Sequence, residues 1–148
     1  MGLYTSSPRH RTCEVVSAMP RVLIVDEDMR GSRSLEMALR LEGVDVEFAS
    51  SAEVALGELE RSFADLVVID LMMRESSGLH LAREIRRRFP GVRTVLTSAY
   101  PLGQRQLERL DCGVVGFVPK PYDFGDVVDF LRAKASSSPS LRTLAMED

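Results

Sequence analysis

From Arg21 onward the chain alternates two kinds of segment. Short β-branched runs occupy residues 22–25, 44–48, 66–69, 92–96 and 114–118, each about the length of an ordinary strand. Stretches with helical spacing fill the gaps. Leu35, Ala38, Leu39 and Glu42 step at i, i+3, i+4 and i+7, and Gly43 follows as a left-handed stop. Ser50 and Glu53 have capping-box spacing ahead of Val54, Leu56 and Leu59. Leu79, Ala82 and Ile85 line one side of the next helix, which Pro90-Gly91 ends. Pro101 suits a first helical turn before Leu107 and Leu110, and Asp123 suits the cap of a last helix with Val127, Val128 and Leu131. The pattern predicts five strands and five helices in strict alternation, up to about Lys134. The first, third and fourth strands are nearly continuous apolar runs, as expected when both faces of a parallel sheet are covered. Right-handed crossovers then give an α/β, doubly wound sheet with helices on both faces. In such sheets the ligand crevice lies outside the carboxyl ends of the strands.

Composition narrows the function without changing that picture. The 148 residues carry 19 Lys and Arg against 22 Asp and Glu, a formal charge of −3. The length suits one domain with short extensions. We expect a flexible leader over residues 1–19, a folded domain over 20–134 and a Ser-rich tail over 135–148. A content of 45% hydrophobic and 28% charged residues excludes wholesale disorder. The longest apolar run, residues 66–73, is interrupted by Asp70 and falls well short of the roughly 18 residues a membrane span needs. The mild acidity excludes bulk attraction to nucleic acid or anionic lipid. Cys13 and Cys112 match no metal or redox spacing and are expected as reduced thiols in a cytosol. His10 and His80 are the only histidines, too few for a zinc cluster, and the leader lacks the apolar core of a secretion signal.

The chemistry sits where the strands end. The first strand runs into Asp26, Glu27 and Asp28, and the third into Asp70. The fourth runs into Thr97-Ser98-Ala99, and the fifth into Pro119-Lys120-Pro121. A parallel sheet brings these ends onto one rim. Carboxylates held close repel one another, and a hard divalent cation such as Mg²⁺ is the natural compensation. Lys120 offers a point charge to a phosphoryl oxygen, Ser98 offers a hydroxyl donor, and an Asp carboxylate is a competent nucleophile. Each piece has a plainer reading. A strand-end Asp is commonly a helix cap or turn former, a lysine between prolines a solvated loop residue, and Ser98 a cap for the following helix. The joint placement favours a site.

These residues resemble the receiver domain of two-component response regulators. The resemblance covers about residues 20–134 and rests on Val25-Asp26-Glu27-Asp28, Asp70-Leu71-Met72-Met73 with Gly78, Ser98-Ala99, and Phe117-Val118-Pro119-Lys120-Pro121. It implies the flavodoxin-like strand order 2-1-3-4-5, which general knowledge of the fold supplies and the pattern alone does not. It implies that Asp70 accepts a phosphoryl group from a histidine kinase or histidine phosphotransfer protein. Asp26 and Glu27, with Asp70 and the Met72 backbone carbonyl, would hold Mg²⁺. Lys120 would pair with Asp70 and then with the phosphoryl group. Ser98 and Phe117 would be the switch residues that report the change on the face of the fourth helix, fifth strand and fifth helix. Phe117 also has a plainer reading as core packing.

The resemblance makes the chain a stand-alone cytoplasmic switch that catalyses only its own phosphorylation and dephosphorylation and acts on a downstream protein, with no direct nucleic-acid or membrane contact. Two positions depart from the family pattern. Arg74 stands where a proline is usual, and Met72 is apolar where many members are polar. An alternative is a receiver-like module that signals without phosphorylation. Another is an aspartyl phosphatase of the haloacid dehalogenase type, which needs a second acid where Met72 stands. A third is a receiver cut from a longer DNA-binding regulator. Arg86-Arg87-Arg88 reads as a solvated face. Arg105 and Arg109 with Asp126 and Asp129 are able to pair within the chain or across a homodimer.

Overall fold

Along the first strand, alternate side chains serve different cores. Val22 and Ile24 pack with Leu35, Leu39, Val127, Val128 and Leu131, whereas Leu23 and Val25 pack with Ala55, Leu59, Leu81, Ala82 and Ile85. A strand buried on both faces needs apolar residues at both parities, and this run supplies them. The computed structural model describes residues 19–74, 77–100, 102–121 and 123–136. Its elements are β1 (Arg21–Val25), α1 (Met29–Leu41), β2 (Asp45–Ala49), α2 (Ala52–Arg61) and β3 (Leu66–Asp70), followed by α3 (Gly78–Arg88), β4 (Arg93–Ser98), α4 (Gln104–Leu110), β5 (Gly116–Pro119) and α5 (Phe124–Ser136).

All neighbouring strands are parallel, in the order β2-β1-β3-β4-β5. The expected doubly wound sheet is therefore present. Helices α1 and α5 cover one face, while α2, α3 and the partly buried Leu107 and Leu110 of α4 cover the other. Each large side chain buried this way contributes roughly 1.5–3 kcal/mol. Helix α4 differs from the other four-element neighbours of the sheet in having no fully buried residue.

Local signals hold with small shifts. Gly43 turns the chain after α1 at φ +82°, and its N–H bonds the Arg40 carbonyl. The cap of α2 is Ser51 rather than Ser50, its hydroxyl accepting from the Val54 N–H at 3.1 Å. Glu53 thus falls one position earlier in the turn than a capping box requires, where its charge still faces the helix N-terminus. Helix α4 begins at Gln104, with the Gln106 side chain accepting from the Gly103 N–H at 2.7 Å. Pro101 lies outside the described residues. Asp123 meets α5 through its carbonyl, which accepts from the Val127 N–H.

Strand β2 starts one residue later than expected because the Val44 N–H turns back to the Leu39 carbonyl. Strand β5 starts at Gly116, since Val114 and Val115 lie in the approach to it. Strand β4 continues to Ser98, as Thr97 and Ser98 keep pairing with Asp70 and Pro119. Cys112 is a buried free thiol that desolvation holds above its ordinary pKa. The leader residues 1–18, Cys13 among them, and the tail from 137 lie outside the described residues.

Candidate functional site

The rim at the carboxyl ends of β1, β3, β4 and β5 is built by strand termination. Asp26 follows β1, Asp70 and Ser98 close β3 and β4, and Lys120 follows β5. Asp26 is only 3% exposed and Asp70 9%. Lys120 Nζ lies 2.8 Å from Asp26 Oδ2 and 3.3 Å from Asp70 Oδ2, so one ammonium bridges two buried carboxylates. A backbone donor meets the other oxygen of each aspartate. The Asp28 N–H donates to Asp26 Oδ1 at 2.9 Å, and the Met72 N–H to Asp70 Oδ1 at 3.0 Å. The Ser32 hydroxyl, buried on α1, donates to Asp26 Oδ2 at 3.3 Å. Both aspartates are thereby fixed in orientation while each keeps an oxygen at the lysine.

The other acids of the triple behave differently. Asp28 is the N-cap of α1, accepting from the Arg30 N–H at 3.2 Å, with the Arg30 guanidinium beside it. The Arg30 backbone N–H, aided by that guanidinium, holds the Asp28 carboxyl below its usual range. Its plainer reading as a cap is thus realised. Both oxygens of Glu27 accept from the Arg74 N–H at 2.9 Å. That bond ties the end of β1 to the loop after β3. Among the described residues no three acidic, histidine or cysteine side chains form a cluster able to hold a metal ion. Asp26, Glu27 and Asp70 nevertheless line one cavity, where Lys120 bridges the two aspartates and Glu27 holds the Arg74 N–H at the lip.

Ser98 is buried at 1% exposure, and its Oγ accepts from the Tyr100 N–H at 3.0 Å. Its carbonyl accepts from the Lys120 N–H at 2.9 Å, which sets Lys120 in register with the end of β4. Phe117 is partly buried against the core of α2, α3 and α4, and it lines a groove of about 560 Å³ with Leu102, Leu107 and Phe130. Its packing role is therefore present. Met72 is exposed at the mouth of the site. A cavity of about 390 Å³ opens there, lined by Asp26, Glu27, Asp28, Arg30, Asp70, Met72 and Arg74.

Two participants were not singled out by pattern. Ser32 is a polar residue on the buried stripe of α1 it shares with Leu35 and Leu39, which was the available signal. Gly78 is marked in the sequence only as part of the motif that begins at Asp70. A Cβ there would lie 2.3 Å from the Asp70 carbonyl oxygen, so only glycine lets α3 start this close to the end of β3. Away from the rim, Arg86, Arg87 and Arg88 pair with Asp111, Glu84 and Glu60 and form a solvated face. Among the described residues Arg105, Arg109, Asp126 and Asp129 form no intrachain ion pair.

A doubly wound parallel sheet with two buried aspartates and a lysine on its carboxyl rim defines an α/β signalling module of the receiver type. Residues 22–132 match the response regulator receiver domain family, and the chain belongs to it. It is 32% identical over 112 residues to the probable transcriptional regulatory protein TcrX of Mycobacterium tuberculosis, covering 76% of this chain and 48% of that protein. The chain thus spans about half the length of that curated relative, and 24% of the regulatory protein AtoC of Escherichia coli. Among solved structures, a response regulator from Thermotoga maritima superposes with TM-score 0.73 at 29% identity, covering 80% of this chain and 99% of that one. Response regulator TrrA from Thermotoga maritima, solved in complex with Mg²⁺-BeF, superposes with TM-score 0.69 at 27% identity, covering 78% and 99%. No described helix is long and apolar enough to cross a membrane.

Proposed function

We propose that this chain is a phosphorylation switch of a two-component pathway in which Asp70 is the phosphoacceptor. The observation that carries this reading is the Lys120 ammonium shared between buried Asp26 and Asp70. A carboxylate beside a cation, at the wall of an open cavity, is a nucleophile with a positive charge placed for the oxygens it will acquire. In the transfer an Asp70 oxygen forms the bond to phosphorus as the bond to the donor's imidazole nitrogen breaks. The electron pair leaves with the imidazole, which departs neutral when its other nitrogen carries a proton. Lys120 is placed to follow the charge from the carboxylate to the new phosphoryl oxygens.

The donor set fits a hard divalent cation, since Asp26, Asp70 and the Met72 carbonyl are oxygen ligands and Glu27 stands beside them on the lip. Bound Mg²⁺ would neutralise charge on the phosphoryl group. Glu27 has to keep or give up the Arg74 N–H to take part, which makes the loop after β3 responsive to it. Ser98 and Phe117 are the proposed switch residues. Ser98 would exchange the Tyr100 N–H for a phosphoryl oxygen, and Phe117 would repack at the groove between α4 and α5. We assign the donor as a histidine kinase or phosphotransfer protein in the cytoplasm, and the reader as a protein docking on α4, β5 and α5, with a homodimer through that face as one form.

The test is intact mass after incubation with acetyl phosphate and Mg²⁺. A hydroxylamine-labile increase of one phosphoryl group, absent without Mg²⁺ and absent in Asp70→Asn, is the expected result. A folded protein that gains nothing would reduce the chain to an interaction module that signals without phosphorylation. An adduct that survives in Asp70→Asn would mean another nucleophile.

A further inference from the structure

We propose that Arg74 is a substrate-binding residue of this site, which pairs with the oxygens of the incoming phosphoryl group and sets how well the chain takes phosphate from anionic donors. The inference rests on the phosphoacceptor role of Asp70. It starts from the charges around the cavity. Asp26, Glu27, Asp28 and Asp70 line it, and among the described residues its cations are Arg30 and Arg74, with Lys120 behind. Lys120 is engaged by two aspartates, and the Arg30 guanidinium sits on Asp28 at 3.4 Å. Arg74 is exposed at the same cavity, and among the described residues its guanidinium, unlike its backbone N–H, is paired with no carboxylate. Among the described cations of this lining it is therefore the one whose charge is not already engaged.

Its position is not loose. The Arg74 N–H is clamped by both oxygens of Glu27 at 2.9 Å, and the loop leads directly from Asp70, whose Oδ1 holds the Met72 N–H. The side chain thus projects from a backbone tied to the rim at both ends. A phosphoryl group entering a cavity of four carboxylates meets repulsion, and a guanidinium with planar paired donors is suited to offset it. The shared chemistry of any donor is the phosphoryl oxygens. In the transfer Asp70 oxygen bonds to phosphorus while the bond to the leaving atom breaks with its electron pair. That atom is the acyl oxygen in acetyl phosphate, leaving as acetate, and the protonated nitrogen in phosphoramidate, leaving as ammonia.

The experiment measures phosphorylation rate against donor concentration for wild type, Arg74→Gln, Arg74→Lys and the exposed control Arg33→Gln, with acetyl phosphate and with phosphoramidate, at saturating Mg²⁺. Arg74→Gln is expected to lower the second-order rate constant about three- to tenfold with both donors, through KM rather than kcat. Arg74→Lys, which restores the charge without the paired donors, should recover part of it, Arg33→Gln should match wild type, and added salt should narrow the gap. Calorimetric titration with beryllofluoride and Mg²⁺ supplies a readout free of chemistry, and Arg74→Gln should weaken it by a similar factor while Mg²⁺ affinity alone stays unchanged. Equal rates and equal beryllofluoride affinity in wild type and Arg74→Gln overturn the assignment. A loss confined to acetyl phosphate also overturns it, since Arg74 would then be reading the acyl leaving group. A wild type that takes no phosphoryl group on Asp70 would instead overturn the reading of the site itself.

Discussion

The two ends of the sheet both carry charge, and they use it in opposite ways. At the amino-terminal end, the Arg21 N–H donates to Asp65 Oδ2 at 2.8 Å, while its guanidinium reaches Glu58 at 3.1 Å, Asp45 at 3.9 Å and the Ser62 hydroxyl. Arg61 and then Arg21 hold the Glu58 carboxyl below its usual range. Cations and carboxylates are matched there, and all stay in reach of water. At the carboxyl-terminal end two nearly buried carboxylates share one ammonium. Matched charges that keep contact with water close the end of a sheet with a modest gain, most of it where a side chain such as Arg21 is also packed. Two carboxylates crowded away from water repel each other, and the ammonium and amide donors around them offset that repulsion.

The largest separation between the ends should come from Asp70→Asn. The substitution keeps the size of the side chain and an acceptor for the Met72 N–H, and it removes one of the two competing carboxylates. All phosphorylation should be lost, while urea unfolding should show stability unchanged or raised by about 1 kcal/mol. A variant clearly less stable than wild type would show that the rim holds no strain.

Gly78→Ala attacks the geometry of the rim instead of its charge. The added Cβ has to displace the Asp70 backbone. A loss of about 1–3 kcal/mol in chemical denaturation is expected, together with slower phosphorylation, because the nucleophile moves with its own carbonyl. Normal rates in a stable variant would mean that α3 yields without disturbing Asp70.

Arg21→Ala should do the reverse of Asp70→Asn. It removes the half-buried hub of the amino-terminal end, so stability should fall by about 1–2 kcal/mol with phosphorylation rates untouched. Coupling between the two ends would appear as a changed rate.

The smallest effect is a pH dependence at Asp28. Its carboxyl titrates lower when folded than unfolded, because the Arg30 N–H and guanidinium favour the charged form. The contribution to stability is present above the unfolded pKa and is lost as pH falls through the lower, folded one. Asp28→Asn keeps the cap and should remove that acid-side slope from unfolding measured across the acidic range. An identical slope in the variant would place the titration elsewhere.

Pattern read the strand ends well because burial on two faces leaves a strong signal. The apolar runs of β1 and β3 stop at Asp26 and Asp70, and two charges that end two buried strands of one parallel sheet must share a rim. Lys120 was legible for the same reason. The bond between the Glu27 carboxylate and the Arg74 N–H was not, since which amide a loop presents has no imprint on hydrophobic periodicity. Ser50 and Ser51 offer the same hydroxyl one residue apart, so the cap of α2 is decided by backbone angles alone. The start of α4 was hidden because Gly103 brings no capping side chain, and β5 was drawn early because Val114 and Val115 are apolar without being paired as strand.

Lys120 and Asp26 lie 94 residues apart in the chain. A cation just past the last strand closes a rim begun at the first, so Asp26, Asp70 and Lys120 come together only once β5 has docked beside β4.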